Sequence, residues 1–277
     1  NGKKLKKSMI APDGYVLIDC DSSQIEARVL AWLAGQGDLT EAFRVGDDVY
    51  KKMAMSIYGV NREEDVTKDQ RFVGKTTILG AGYGMGAVRF KEQLQSFGFD
   101  MDLDEARRVI SVYREANFKI TTLWRDAGYM LENMARGDSV QFGLDGVVAV
   151  DATKKAIMLP SGLFMRYDEL AGEQGERGVE YTYKVRRGRN RIYGGKVIEN
   201  VCQAVARCII GEQMLKIAKR YRVVLTVHDS VVCCVPEEEV VEAQEYIESC
   251  MRWTPHWAAG MPVNCESGIG KSYGDCE

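Results

Sequence analysis

The first apolar run is residues 15–20 (YVLIDC). Its length predicts a short buried strand, and Asp21 stands where that strand ends. Residues 23–34 then place Ile25, Val29, Leu30 and Leu33 at helical spacing, and Gly35 and Gly37 close the helix. From about residue 40 to 136 the apolar positions keep a 3.6-residue period. This predicts a largely helical block, broken at Gly59, at the glycine cluster 80–86 and at Gly98. Between 139 and 193 the pattern shortens to β-like runs with turns, and the polar, glycine-rich stretch 168–180 reads as an exposed loop. A long helix follows over about 197–219, with Val197, Val201, Val205, Ile209 and Leu215 on its apolar side. Two valine-rich runs, RVVLTV and SVVCCVP, flank His228-Asp229 and predict a hairpin with those residues at its tip. A last helix spans about 237–252. The order predicts one mixed α/β (α+β) domain split by a helical insertion, with acidic corners at Asp21 and Asp229.

Composition narrows the class. The 277 residues are 45% hydrophobic and 28% charged, as in soluble globular proteins. No apolar run approaches the roughly 20 residues of a membrane helix. Lys+Arg total 37 against Asp+Glu 40, a net of −3, which excludes a basic surface overall but not local patches. Two such patches are Lys3, Lys4, Lys6, Lys7 and Arg186, Arg187, Arg189, Arg191; each suits either plain solvation or contact with a phosphate backbone. The eight cysteines form no C-x-x-C pair and there are two histidines, so finger-like zinc spacing is lacking. Cysteines inside apolar runs read as buried free thiols of a reducing cytosol. The chain opens on Asn without a signal peptide, and its first residues read as the middle of a longer protein.

A carboxylate at a strand end or hairpin tip is ordinary turn chemistry. Asp21 and Asp229 gain interest together, because their strands could be neighbours in one sheet. Paired carboxylates suit Mg²⁺, a hard cation, and two such ions roughly 3.5–4 Å apart clamp the oxygens of a phosphoryl displacement. Residues 67–86 are richer in pattern. Thr67-Lys68-Asp69-Gln70 is a capping box that starts a helix, and Arg71, Lys75, Leu79 and Tyr83 follow at i+4. That order of cation, cation, apolar and aromatic fits a solvated helix with two core residues. It fits equally a face holding a triphosphate at one end and a base at the other. Gly74-Lys75-Thr76 and Gly270-Lys271-Ser272 are not phosphate loops, since Asp69 and Cys265 stand where the first glycine belongs. Ser23-Gln24-Ile25-Glu26 has the form of a capping box, and Asn200, Gln203 and Arg207 line a polar helix side.

Three segments together resemble the family A (DNA polymerase I-like) DNA polymerases. Asp21-Ser22-Ser23-Gln24-Ile25-Glu26-Ala27-Arg28 resembles motif A, Arg71-x3-Lys75-x7-Tyr83-Gly84 resembles motif B, and Val227-His228-Asp229 resembles motif C. The stretches DDVYKKMA and YGGKVIENVCQAVAR are similar to the phage branch. The resemblance implies a palm/fingers fragment: an antiparallel palm sheet with a helical fingers insertion. Residues 1–37 would be the first palm part, 38–140 the fingers, and 141–277 the second palm part. It implies a template-directed DNA polymerase adding dNTPs to a primer 3′-OH with two Mg²⁺ ions. Asp21, Asp229 and the Ser22 carbonyl would bind metal, Arg71, Lys75 and Tyr50 would bind the nucleotide, and Lys75 would be catalytic with Asp21 and Asp229. Tyr83 would pack beside the nascent pair, Leu79 beside the sugar, and Glu26 would block a ribose 2′-OH. Gln203 would read the minor groove, His228 would sit near the primer terminus, and Asn200 and Arg207 would face DNA. Partners would be primer–template DNA, dNTPs and replication accessory proteins, with no membrane, in the cytoplasm (the host's, if viral).

Four departures from the pattern stand out. Ser230 replaces a second motif C acid, which leaves the metal site leaner by one carboxylate. Leu79 replaces an aromatic residue, Tyr50 a phosphate-binding His, and Ser22 a Tyr. Two other readings stay open. A single-subunit phage-type RNA polymerase shares the His-Asp-Ser of motif C, though Glu26 argues against it. A catalytically inactive nucleic-acid-binding remnant would explain Ser230, but not the retention of Asp21, Arg71, Lys75 and Asp229.

Overall fold

The computed structural model describes residues 2–140, 142–144, 147–175 and 178–276, with the Lys3 side chain left aside. In chain order the elements are α1 (Gly2–Ser8), β1 (Tyr15–Ser22), α2 (Ile25–Ala34), α3 (Gly37–Val45), α4 (Val49–Tyr58), α5 (Lys68–Ala81) and α6 (Ala87–Ser96). Next come α7 (Leu103–Ala116), α8 (Phe118–Arg136), β2 (Ala149–Asp151), β3 (Ala156–Met158), β4 (Phe164–Arg166), β5 (Ala171–Gly175), β6 (Gly178–Val185) and β7 (Gly188–Ile192). Then follow α9 (Gly194–Ile217), β8 (Arg222–Val227), β9 (Ser230–Pro236), α10 (Val240–Met251) and β10 (Cys265–Gly270). The mixed helical and antiparallel architecture agrees with the fold class expected from sequence. The chain forms two compact units, Asn1–Glu26 with Val205–Glu277, and Ala27–Ala204. These breaks fall at 26/27 and 204/205. Packing is the reason: Ala27 and Ala31 of α2 already belong to the core of the helical unit.

The sheet unit carries four antiparallel strands in the order β10-β1-β9-β8. The pleat sends Ile18 and Cys20 of β1 to one face, and α10 packs over β1, β9 and β10. On the opposite face Leu17 and Val232 join Ala11, Tyr273 and Cys276 in a small core. The C-terminal segment crosses so closely there that a Cβ at Gly268 would lie 1.8 Å from the Cys276 carbonyl oxygen. Further along the same face β1 turns acidic. The expected hairpin is present, with Val227 paired to Ser230 across His228-Asp229. His228 takes φ +53°, the left-handed value that tight hairpin turns need at their first loop position.

The helical unit is built round Phe43, Tyr50, Met53, Ile57, Phe90, Leu94 and Tyr113. The capping box at Thr67 and Gln70 is formed in both directions. Helix α4 ends at Gly59 in the left-handed conformation (φ +66°), as the sequence breaks predicted. Two small antiparallel sheets, β2-β3-β4 and β5-β6-β7, complete the unit.

Four expectations fail locally. The stretch 168–180 is not a loop: β5 pairs with β6, and only residues 176–177 of it lie outside the described residues. It is an exposed ribbon, so its strands carry no hydrophobic alternation. Leu215 is 69% exposed and does not belong to the apolar side of α9. Ser23 is not the residue immediately before α2, which begins at Ile25, and Gln24 between them holds φ +54°. Tyr83 lies two residues beyond the end of α5, in the turn that follows. The eight cysteines are free thiols, six of them buried, as their apolar settings suggested.

Candidate active site

The sheet unit brings Asp21 and Asp229 together. Strand β1 pairs Asp21 with Ser230 of β9 on one side and with Glu266 of β10 on the other. Asp229 sits immediately before Ser230, and its carbonyl accepts a hydrogen bond from the Ser22 N–H (3.2 Å), which ties the end of β1 to the hairpin turn. Burial, then the charges of Asp229 and Asp19, hydrogen bonding to Asp229 and the charge of Glu266 push the Asp21 carboxyl up to about 6. Carboxylates crowded in this way repel until a cation or a proton joins them. All the donors are oxygen, which suits a hard divalent cation such as Mg²⁺. Among the described residues no group of three or more His, Cys, Asp or Glu side chains is arranged to hold a metal ion. The pair therefore offers a cation two carboxylates, short of a three-ligand cluster.

Sequence reasoning passed over Asp19 and Glu266. Asp19 lies on the same face of β1 as Asp21, two residues earlier, and accepts a hydrogen bond from the Ser230 hydroxyl. Burial raises its carboxyl, against the lowering effect of that bond and of Lys6. The face is thus not short of a carboxylate; the acid stands on β1 instead of following Asp229. His228 is exposed at the hairpin tip, and Glu26 lies in the first turn of α2.

In the helical unit, Arg71, Lys75 and Leu79 lie along the open side of α5, while Val73, Gly74, Thr76, Thr77 and Ile78 between them are buried. Lys75 and Leu79 are exposed and Arg71 and Tyr83 half-buried. Tyr50 does not reach this surface: it is 5% exposed, with its ring centre 5.3 Å from the Arg71 guanidinium and 5.9 Å from Lys75 Nζ. It serves the cations from beneath. The Nε of Arg71 donates to Asp48 at 2.6 Å. Burial works to raise Asp48, but the bonds from Arg71 and from the Lys51 and Tyr50 backbone outweigh it and hold the carboxyl below its usual range. Asp48 also caps α4, so this cap fixes Arg71.

The turn after α5 is held from two sides. The Trp124 indole donates to the Gly82 carbonyl at 2.8 Å. A Cβ at Gly195, where α9 begins, would come within 2.5 Å of the Tyr83 carbonyl oxygen. The paired glycines of YGGK therefore let α9 start against this turn, a role that spacing alone did not reveal. On α9, Gln203 and Arg207 are exposed, and the half-buried Asn200 donates its side-chain N–H to the Tyr167 hydroxyl at 3.4 Å.

The matches with known proteins fall on DNA polymerases. Residues 1–135 match the sequence model of DNA polymerase family A. The DNA polymerase of Bacillus phage SP02 is 29% identical over 286 residues, covering 97% of this chain and 43% of that polymerase. DNA polymerase I of Pseudomonas aeruginosa is 40% identical over 93 residues, 34% of this chain and 10% of that protein. The structure of the POL domain of Pol1 from M. smegmatis, in complex with DNA primer-template and dNTP, superposes with a TM-score of 0.66 at 20% identity. It covers 99% of this chain and 43% of that one, and bears on the fold alone. The chain is thus similar to DNA polymerases, a phage enzyme among them, and spans less than half the length of these polymerases.

Proposed function

We propose that the chain is the palm and fingers portion of a template-directed DNA polymerase. The observation that carries this is the crowded Asp21–Asp229 pair at the head of the β1–β9 ladder, in a chain related to family A. Asp21 and Asp229, with the Ser22 carbonyl, would hold Mg²⁺. Two such ions, when bound, offset the charge that builds on the attacking and leaving oxygens of an in-line displacement. The sheet unit's part is to fix the carboxylates rigidly on neighbouring strands, so that little reorganisation remains at the moment of reaction.

The helical unit's part is to bind and orient a nucleoside triphosphate. Arg71 and Lys75 present two charges along one line of α5. To bind phosphate, Arg71 must loosen its bond to Asp48, with side chains 42% and 26% exposed. Such partly exposed pairs are worth about 0–1 kcal/mol, less than a charge-assisted contact to phosphate supplies, so the phosphate wins. Leu79 and Tyr83 continue the line towards sugar and base, and Glu26 would exclude a 2′-OH. Asn200, Gln203, Arg207 and His228 would face primer–template DNA. Replication accessory proteins and a place in the cytoplasm belong to the same reading. No helix among the described residues is long and apolar enough to cross a membrane. The reported relatives are DNA polymerases by name, which favours dNTPs over the RNA polymerase reading.

The test is primer extension by the intact polymerase. Asp21→Ala and Asp229→Ala should each remove activity while circular dichroism stays unchanged. Near-normal extension by either folded variant overturns the assignment, and an inactive parent protein would instead favour a nucleic-acid-binding remnant.

A further inference from the structure

Asp19 is a third carboxylate on the acidic face, and the proposed chemistry leaves it without a role. It precedes Asp21 by two residues in β1, so the pleat places both on one side of the sheet. Ser230 is paired in register with Asp21, yet its hydroxyl donates diagonally to Asp19 Oδ1. Ser230 is 5% exposed, and this is a side-chain bond across 211 positions of sequence. Asp19 is thereby tied to both members of the pair: through β1 to Asp21, and through Ser230 to Asp229, its neighbour in the chain. No group of three acids is arranged as direct ligands among the described residues, and Asp19 lies one pleat along β1 from Asp21.

We propose that Asp19 and Ser230 act as one relocated acid, in which Asp19 is a positioning residue whose carboxylate, clamped by the Ser230 hydroxyl, strengthens divalent-cation binding at Asp21 and Asp229. The negative charge that the hairpin strand lacks at Ser230 is supplied from the adjacent strand. A fixed carboxylate one pleat behind the ligands raises the local negative potential and holds β1 in register against the hairpin turn. This rests on the reading of Asp21 and Asp229 as a Mg²⁺ site. The competing role is structural, since Lys6 of α1 is the cation facing Asp19, and the pair could simply fasten that helix.

Mn²⁺ binding to the 277-residue protein, followed by the EPR signal of the free ion without DNA or nucleotide, separates the two. Asp19→Asn should weaken Mn²⁺ binding roughly tenfold, as loss of an outer-sphere partner does. Ser230→Ala should weaken it less, in the same direction, and carries the test alone should Asp19→Asn fail to fold. Asp19→Asn with Ser230→Glu should recover most of the loss, because the acid returns to the hairpin strand. Unchanged affinity in a folded Asp19→Asn protein, or a loss that Ser230→Glu does not recover, overturns the proposal. Asp21→Asn is the control: if it too leaves Mn²⁺ binding unchanged, the metal reading itself fails, and not only the role of Asp19.

Discussion

Asp21 is the residue at which structure changes chemistry most. Its carboxyl is pushed up to about 6 by burial and by the Asp229, Asp19 and Glu266 carboxylates. The unfolded chain has no such crowding and releases that proton near the ordinary value of about 4. Between those two values the folded protein holds a proton that the unfolded one has lost. The contribution of Asp21 to stability without metal should therefore fall as pH rises through this window, because the native state binds more protons at that site. Asp21→Asn should flatten the fall, though Asp19, raised in the same direction, will preserve part of it. Divalent cations should restore stability above pH 6 and do little below pH 4, where protons occupy the oxygens. Melting temperature against pH, with and without Mg²⁺, measures this. A pH profile that Asp21→Asn leaves unchanged would show that the carboxylates are not crowded.

At the scale of elements, the parts legible in sequence were those whose signal is local. The Thr67 capping box, the valine hairpin and the 3.6-residue period of the helices each lie within a few turns of chain. Strand β10 was not legible. Its sequence CESGIG has little β character, and its glycines are there because the C-terminal segment crosses at Gly268 and Gly270. The Ser23-Gln24 corner departs from the expected helix start for the converse reason. A valid local pattern was overridden when the Ser23 N–H bonded the distant Asn264 carbonyl and Gln24 turned left-handed. Asp19 read as one polar residue in an apolar run until register set it beside Ser230. Close packing of α4 on α5 gives a sharp prediction. A Cβ at Gly74 would lie 2.2 Å from the Tyr50 carbonyl oxygen and 3.1 Å from the Ala54 nitrogen, both backbone atoms. Helix propensity favours alanine by about 1 kcal/mol, but overpacking against backbone costs roughly 1–3 kcal/mol or more, so the clash wins. Gly74→Ala should lower the melting temperature and displace the cations above Tyr50. Gly128→Ala, in the middle of α8 with nothing within 4 Å of its Cβ, should raise stability by up to about 1 kcal/mol. Equal shifts for the two variants would contradict the α4–α5 contact.

For the molecule as a whole, the net charge of −3 means that the proposed anionic substrates would be held by placement of charge, not by its sum. Acids are concentrated on one face of the sheet unit, and the cations Arg71 and Lys75 line the open side of α5 in the helical unit. The two units should therefore answer different ligands. Hydrogen exchange reads this directly, because protection reports local opening segment by segment. Mg²⁺ alone should slow exchange in β1, β8 and β9, whose amides frame the carboxylate pair, and leave α5 unchanged. A dNTP added with Mg²⁺ should then slow exchange in α5 and in the turn at Tyr83. Arg71→Ala and Lys75→Ala should abolish the second effect and leave the first intact. Each removes one charge-assisted contact, roughly twice as strong as a neutral hydrogen bond. Asp21→Asn should abolish the first effect. It should weaken the second only so far as metal helps to hold the triphosphate. If a dNTP protects α5 equally in the parent and in both cation variants, the triphosphate does not bind that face, and the i+4 series from Arg71 to Tyr83 is a solvated helix with two core residues.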